Sequence, residues 1–138
     1  MKKFELTSET KINIFGKKLF RIKALISFAD VEAGETGGWV EKEGNVNQSG
    51  NAWVSGDAEV YGNAKVSGNA DYTTIHGFGT QFRTTTFFRC KDKKVRVACG
   101  CFFGTIPEFR EQVKNTRKGK IAEEYLMIAD LMENHFEK

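Results

Sequence analysis

Between Val40 and Tyr72 the apolar positions recur every six residues. Three hexads run on without a break: Val54-Ser55-Gly56-Asp57-Ala58-Glu59, Val60-Tyr61-Gly62-Asn63-Ala64-Lys65 and Val66-Ser67-Gly68-Asn69-Ala70-Asp71. Tyr72 then takes the valine position. Upstream, Val40 and Val46 also lie six apart, with Gly44 where the alanine stands. The spacing from Val46 to Val54 is eight, an insertion of two. Such a pattern predicts short flat faces that each point one valine inward beside a small alanine. Gly-Asn or Gly-Asp supplies the corner, since these residues tolerate left-handed backbone angles. Three faces make a coil of about 18 residues, and stacked coils bury a column of valines.

The hexads resemble the left-handed β-helix of hexapeptide-repeat proteins. The expected fold is therefore mainly β with a C-terminal α segment: a short β-solenoid over residues 40–78, flanked by β-hairpins and capped by two helices. One domain of 138 residues is expected, divided into an N-terminal hairpin cap (1–39), the solenoid (40–78), a second hairpin (79–104) and a helical segment (105–138). The alternative is an array of hairpins with Asn-Gly-type turns. About two coils have open ends, so the flanks are expected to cap them.

The flanks carry other periods. Phe20, Ile22, Ala24, Ile26 and Phe28 alternate with polar residues, which predicts a hairpin over 11–28 turning at Gly16-Lys17. Residues 83–101 predict a second hairpin with a two-residue turn at Asp92-Lys93. That register opposes Lys91 to Lys94 and puts Phe88, Val95, Val97 and all three cysteines on one apolar face. Arg83, Phe87, Arg89, Lys91, Lys94 and Arg96 then share the polar face. Thr105-Ile106-Pro107-Glu108 reads as a capping box with proline in the first turn. Ile121, Tyr125, Ile128, Met132 and Phe136 form the apolar stripe of a second helix.

Charge is unevenly spread. The chain carries a net +3, yet residues 83–120 hold 11 Lys or Arg against three acids. This concentration points to an acidic partner surface or a phosphate-bearing ligand. The alternative is a solvated charged face. Phe87 among the cations of the polar face marks the expected partner contact, Arg83, Phe87, Arg89, Lys91, Lys94 and Arg96. Trp53 and Tyr61 lean outward from their hexads and are the expected contact of a homo-oligomer, a dimer or trimer.

Catalytic chemistry is sparsely represented. Cys90, Cys99, Cys101 and His76 match no common zinc spacing, and buried thiols act as small apolar groups. No metal and no cofactor are expected. Hexapeptide acyltransferases use a histidine base, which makes His76 the residue of a degenerate acyltransferase reading. Two histidines are too few for the three-histidine zinc site of hexapeptide-repeat carbonic anhydrases within one chain. No Walker-type phosphate loop occurs. Residues 1–9 lack the apolar core of a signal peptide, and no run is long enough to span a bilayer. A cytosolic location, without membrane association, is expected.

Across residues 4–136 the chain resembles a group of small phage and prophage accessory proteins. Gly37-Gly38-Trp39-Val40-Glu41-Lys42-Glu43, the hexads, Thr84-Thr85-Thr86-Phe87 and Cys99-Gly100-Cys101-Phe102-Phe103-Gly104-Thr105 carry the resemblance. It implies a viral accessory role and assigns no catalytic residue. The expected function is a non-enzymatic binding protein that inhibits a host factor by occlusion, such as a CRISPR or other anti-phage defence component. Three alternatives stand beside it: an oligomeric sponge for a nucleotide signal, the degenerate acyltransferase, and a virion or assembly component.

Overall fold

The computed structural model describes residues 2–13, 15–79, 83–99 and 102–137. Among these, two four-stranded sheets precede two helices. The first sheet holds β1 (Phe4–Ile12), β2 (Lys18–Ala24), β3 (Thr36–Val40) and β4 (Glu59–Val60), in that spatial order. The second holds β5 (Tyr72–Phe78), β6 (Arg83–Arg89), β7 (Val95–Cys99) and β8 (Phe102–Thr105), also in order. Helices α1 (Ile106–Thr116) and α2 (Gly119–Phe136) cover one face of the second sheet.

The left-handed β-helix expected over residues 40–78 does not form. The hexads contribute a single two-residue strand, β4, which pairs in parallel with β3 as Trp39↔Glu59 and Val40↔Val60. One further parallel bridge joins Val46 to Val66. From Tyr72 the chain enters β5, which pairs antiparallel with β6 instead of stacking on the hexads. The third hexad is where the period fails. Gly56 and Gly62 take φ of +61° and +67°, as a tight corner needs. Gly68 stays extended at −156°, a short 3-10 turn follows over Asn69–Asp71, and Ala70 ends exposed. The flanks also compete for pairing. β2 claims β3 and β6 claims β5 through nearby antiparallel partners, whose short closures cost less chain entropy.

The hexads still bury what their period assigns inward. Val54, Val60, Val66, Ala58 and Ala64 are all fully buried. Asn45 lies among them, also fully buried, and every one of its bonds is made inside. Its amide donates to the carbonyls of Gly62 and Ala64, each at 3.1 Å, and its oxygen accepts from the Lys42 N–H at 3.0 Å. A buried amide so satisfied fixes the layer spacing at little cost.

The N-terminal hairpin is longer than its alternation predicts, since β1 begins at Phe4. Ile22 and Ala24 face the core as expected, whereas Ile26 lies beyond the end of β2 and is exposed. The C-terminal reading is met closely. The Thr105 N–H donates to Glu108 Oε1 at 2.8 Å, and the Glu108 N–H returns to Thr105 Oγ1 at 3.4 Å. Tyr125, Ile128, Met132 and Phe136 are buried along one side of α2, with Ile121 half-buried.

Two cores result, one on each side of the second sheet. Phe88, Cys90 and Ala98 pack with the hexads and the first sheet. Phe87 and Val97 pack under the helices with Phe109, Val113, Tyr125 and Phe136.

Candidate functional site

The turn between β6 and β7 decides which side chains this hairpin shows to solvent. Its loop has three residues, 91–93. The Cys90 N–H bonds the Lys94 carbonyl at 2.9 Å, and the Lys93 N–H bonds the Cys90 carbonyl at 2.9 Å. Lys93 takes φ of +71°, the left-handed residue that such a loop requires. The register is Arg89↔Val95, Phe88↔Arg96, Phe87↔Val97 and Thr86↔Ala98. It differs by one residue from the two-residue turn expected from sequence. A one-residue slip re-pairs every face. Phe87 therefore opposes Val97 and is fully buried, so it is no exposed aromatic among cations. The cysteines separate as well. Cys90 packs in the first core, while Cys99 lies on the opposite face, accepting from Thr85 Oγ1 at 3.2 Å. Both are free thiols, and no cluster of metal-binding side chains occurs among the described residues. Cys101 and Gly100 lie outside the described residues.

What gathers at this turn is lysine. Lys91, Lys93 and Lys94 are exposed around it. Lys65 joins them from the hexads, because its N–H bonds the Arg89 carbonyl at 2.8 Å while the Lys91 N–H bonds the Asn63 carbonyl at 2.9 Å. Among the described residues, none of these four ammonium groups forms an ion pair. Two grooves run past them. One of about 450 Å³ is lined by Lys65, Ser67, Lys91, Lys93 and Phe136. The other, about 550 Å³, has a more apolar floor of Val95, Ile106, Pro107 and Phe136, with Lys93 and Lys94 on its rim and Glu133 and Glu137 on the helical side.

The arginines expected in the same contact are occupied inside the fold. Arg89 Nε donates to Asp71 Oδ1 at 3.0 Å, its Nη2 donates to the Phe136 carbonyl at 3.0 Å, and its guanidinium lies over the Phe136 ring at 5.6 Å. Arg96 clasps both oxygens of Asp92, at 3.0 and 2.9 Å. That clasp, with the Lys94 N–H, holds the Asp92 carboxyl down at about 2. Cys90, beside the same groove, is a poor nucleophile because burial pushes its thiol up.

Arg83 is not part of this end. It sits at the opposite end of β6, about 20 Å away along a seven-residue strand. There it lines a cleft of about 400 Å³ between the two sheets, with Lys11, Asp57, Glu59, Tyr61, His76 and Thr84. His76 Nδ1 lies 2.8 Å from Thr84 Oγ1, and Lys11 pairs with Glu59 at 2.7 Å. His76 does not stand between stacked coils, so the acyltransferase reading loses its structural ground. Trp53 and Tyr61 are core residues, not the outward oligomer contact expected of them. Trp53 packs edge-on against Phe4 and Phe28, and Tyr61 lies against Phe88 and Phe103. The buried Tyr61 hydroxyl is pushed up, first by burial and then by Glu59 and Glu41.

Of the six residues expected in the contact, Lys91 and Lys94 remain as exposed cations at one site. Lys93 was hidden from sequence reasoning by its assignment to the turn itself, although it belongs to the same Lys91-Asp92-Lys93-Lys94 run. Lys65 carried no signal, since a charged last position in a hexad is ordinary. No protein-family model and no curated protein matches the chain. No helix among the described residues is long and apolar enough to cross a membrane.

Proposed function

We propose that the chain is a binding protein that docks an acidic partner on its lysine-rich end. The observation that carries this reading is the contrast within one small surface. Arg89 and Arg96 are neutralised by Asp71 and Asp92, whereas Lys65, Lys91, Lys93 and Lys94 form no direct ion pair among the described residues, although Asp92 and Glu108 lie within electrostatic reach of Lys94. Folding gains nothing from crowding four like charges, and their mutual repulsion is mildly costly. An acidic surface relieves that repulsion and accelerates encounter. The resemblance to phage accessory proteins supports a host factor as the partner, blocked by occlusion of its acidic site. The groove of about 450 Å³ also has the size of a small-ligand site, which favours a phosphate-bearing nucleotide as the second reading.

The test is Lys91→Glu with Lys94→Glu. Both side chains are exposed, so stability should stay within about 0.5 kcal/mol of the parent. Capture of the host factor by the parent protein should weaken with added salt, because exposed pairs are screened beyond about 8 Å at physiological ionic strength. The double variant should lose that capture. Undiminished capture by the variant places the contact elsewhere. A melting temperature raised by a cyclic dinucleotide in the parent but not in the variant favours the nucleotide reading.

A further inference from the structure

We propose that β5 is a dimerisation edge, and that its occupant is the β5 strand of a second copy of this chain. The second sheet runs β5-β6-β7-β8, so β5 has a partner on one side only. Along its other side no backbone hydrogen bond is made among the described residues. An open edge presents a row of N–H and carbonyl groups that template another strand.

The other sheet edges are blunted more heavily than β5, whose own irregularity falls near its end, between His76 and Phe78, where Gly77 takes φ of +95°. β1 is broken by an irregularity between Leu6 and Thr10 and carries Glu5, Glu9 and Lys11. β4 has two residues. β8 has four and runs straight into α1. β5 has seven, Tyr72-Thr73-Thr74-Ile75-His76-Gly77-Phe78, with no lysine, arginine, carboxylate or proline. It is also held in place from both faces, since Tyr72 packs against the first core while Ile75 and Phe78 pack against the second. The edge is therefore regular over Tyr72–His76, packed from both faces and without formal charge.

These properties select the occupant. An acidic or basic peptide finds no counter-charge on this strand. A second β5 finds threonine, isoleucine and histidine opposite itself, and no antiparallel register sets Lys, Arg, Asp or Glu side chains face to face. Two-fold antiparallel pairing would join the sheets of two copies into one of eight strands. Beside Tyr72, Thr73 and Thr74 runs a groove of about 310 Å³, lined also by Asp30, Val31, Asn51, Trp53 and Ser55, which leaves room for the incoming side chains and carries one carboxylate off the strand. The Trp53 indole N–H, buried there, has no acceptor among the described residues. Antiparallel pairing would also set the two lysine-rich ends at opposite extremes of the joined sheet, since Tyr72 lies beside Phe88 and hence near Arg89. The proposal does not rest on the acidic-partner reading.

Light scattering and sedimentation of the full chain over a concentration series provide the test. A monomer–dimer equilibrium is expected. Thr74→Lys sets like charges across the two-fold axis at an exposed position, and should weaken the dimer at least tenfold with an unchanged circular dichroism spectrum. Met127→Lys, on the exposed side of α2, should leave it intact. Amide hydrogen exchange on the parent needs no variant: alternate amides of β5 should gain protection as concentration rises. A monomer throughout the series overturns the proposal. So does a dimer that Met127→Lys dissolves and Thr74→Lys does not, or β5 protection that appears only when an unrelated extended peptide is added.

Discussion

Phe87 and Phe88 are neighbours in the chain and belong to different cores. On the Phe88 side the ring meets Tyr61 and Phe103 beside the valines and alanines of the hexads, which backbone bonds such as Trp39 to Ala58 and Asn47 to Val66 hold in place. On the Phe87 side the partners are long side chains from two helices that sit across the sheet. The first half is set chiefly by where its backbone groups find partners. The second is set by the interlocking of side chains, where a missing methylene leaves a void. One sheet thus divides two kinds of packing, and its two faces should respond differently to the same substitution.

Ala64→Lys should have the largest effect. Ala64 is fully buried and forms a bridge to Cys90, so the ammonium would enter where hexads and hairpin meet. An unpaired buried charge costs several kcal/mol, and the chain should fail to fold. A soluble variant with the parent's melting curve would refute the inward assignment.

Phe87→Ala and Phe88→Ala come next and sharpen the contrast. Each truncates a fully buried ring, at a cost of about 3–5 kcal/mol. Hydrogen exchange should separate them. Phe87→Ala should first release amides in α1 and α2, and Phe88→Ala those of residues 58–66. Identical patterns would mean that the two cores open as one unit.

Arg89→Met should cost about 2 kcal/mol by leaving Asp71 and the Phe136 carbonyl without their donor. Thermal melts of Arg89→Met beside the Lys91→Glu, Lys94→Glu variant would show whether the arginine and the lysines differ as described. The smallest effect is a gain. Lys93→Gly removes a side chain from a left-handed position and should stabilise by about 0.5–1 kcal/mol. A loss there would mean that Lys93 makes a stabilising contact within the fold.

The same division governs what could be read from sequence. The helical half was legible in its cap and in its apolar stripe. Thr105 and Glu108 form the box that their spacing announces, and the stripe from Ile121 to Phe136 faces inward. Helical pairing is local, so a local period specifies it. The hexads were legible in burial but not in architecture. A period says which side chains go inside, and it does not say which strand the backbone will meet. Val60 is buried as expected, yet its parallel neighbour Val40 belongs to a strand that is also claimed by β2. The candidate site was half legible for a smaller reason. One residue more in the turn at 91–93 moved Phe87 from the expected surface to the core and brought Lys93 out to solvent.

The two faces of the second sheet also become covered at different times. Everything that shields Phe88 lies at or before residue 103, and most of it precedes β6. Everything that shields Phe87 from the helical side lies in residues 106–136. During synthesis from the N-terminus, Phe87 and Val97 therefore emerge before their covering exists. Until α2 docks and Arg89 bonds the Phe136 carbonyl, the nascent chain carries an apolar sheet face open to chaperones or to another unfinished copy.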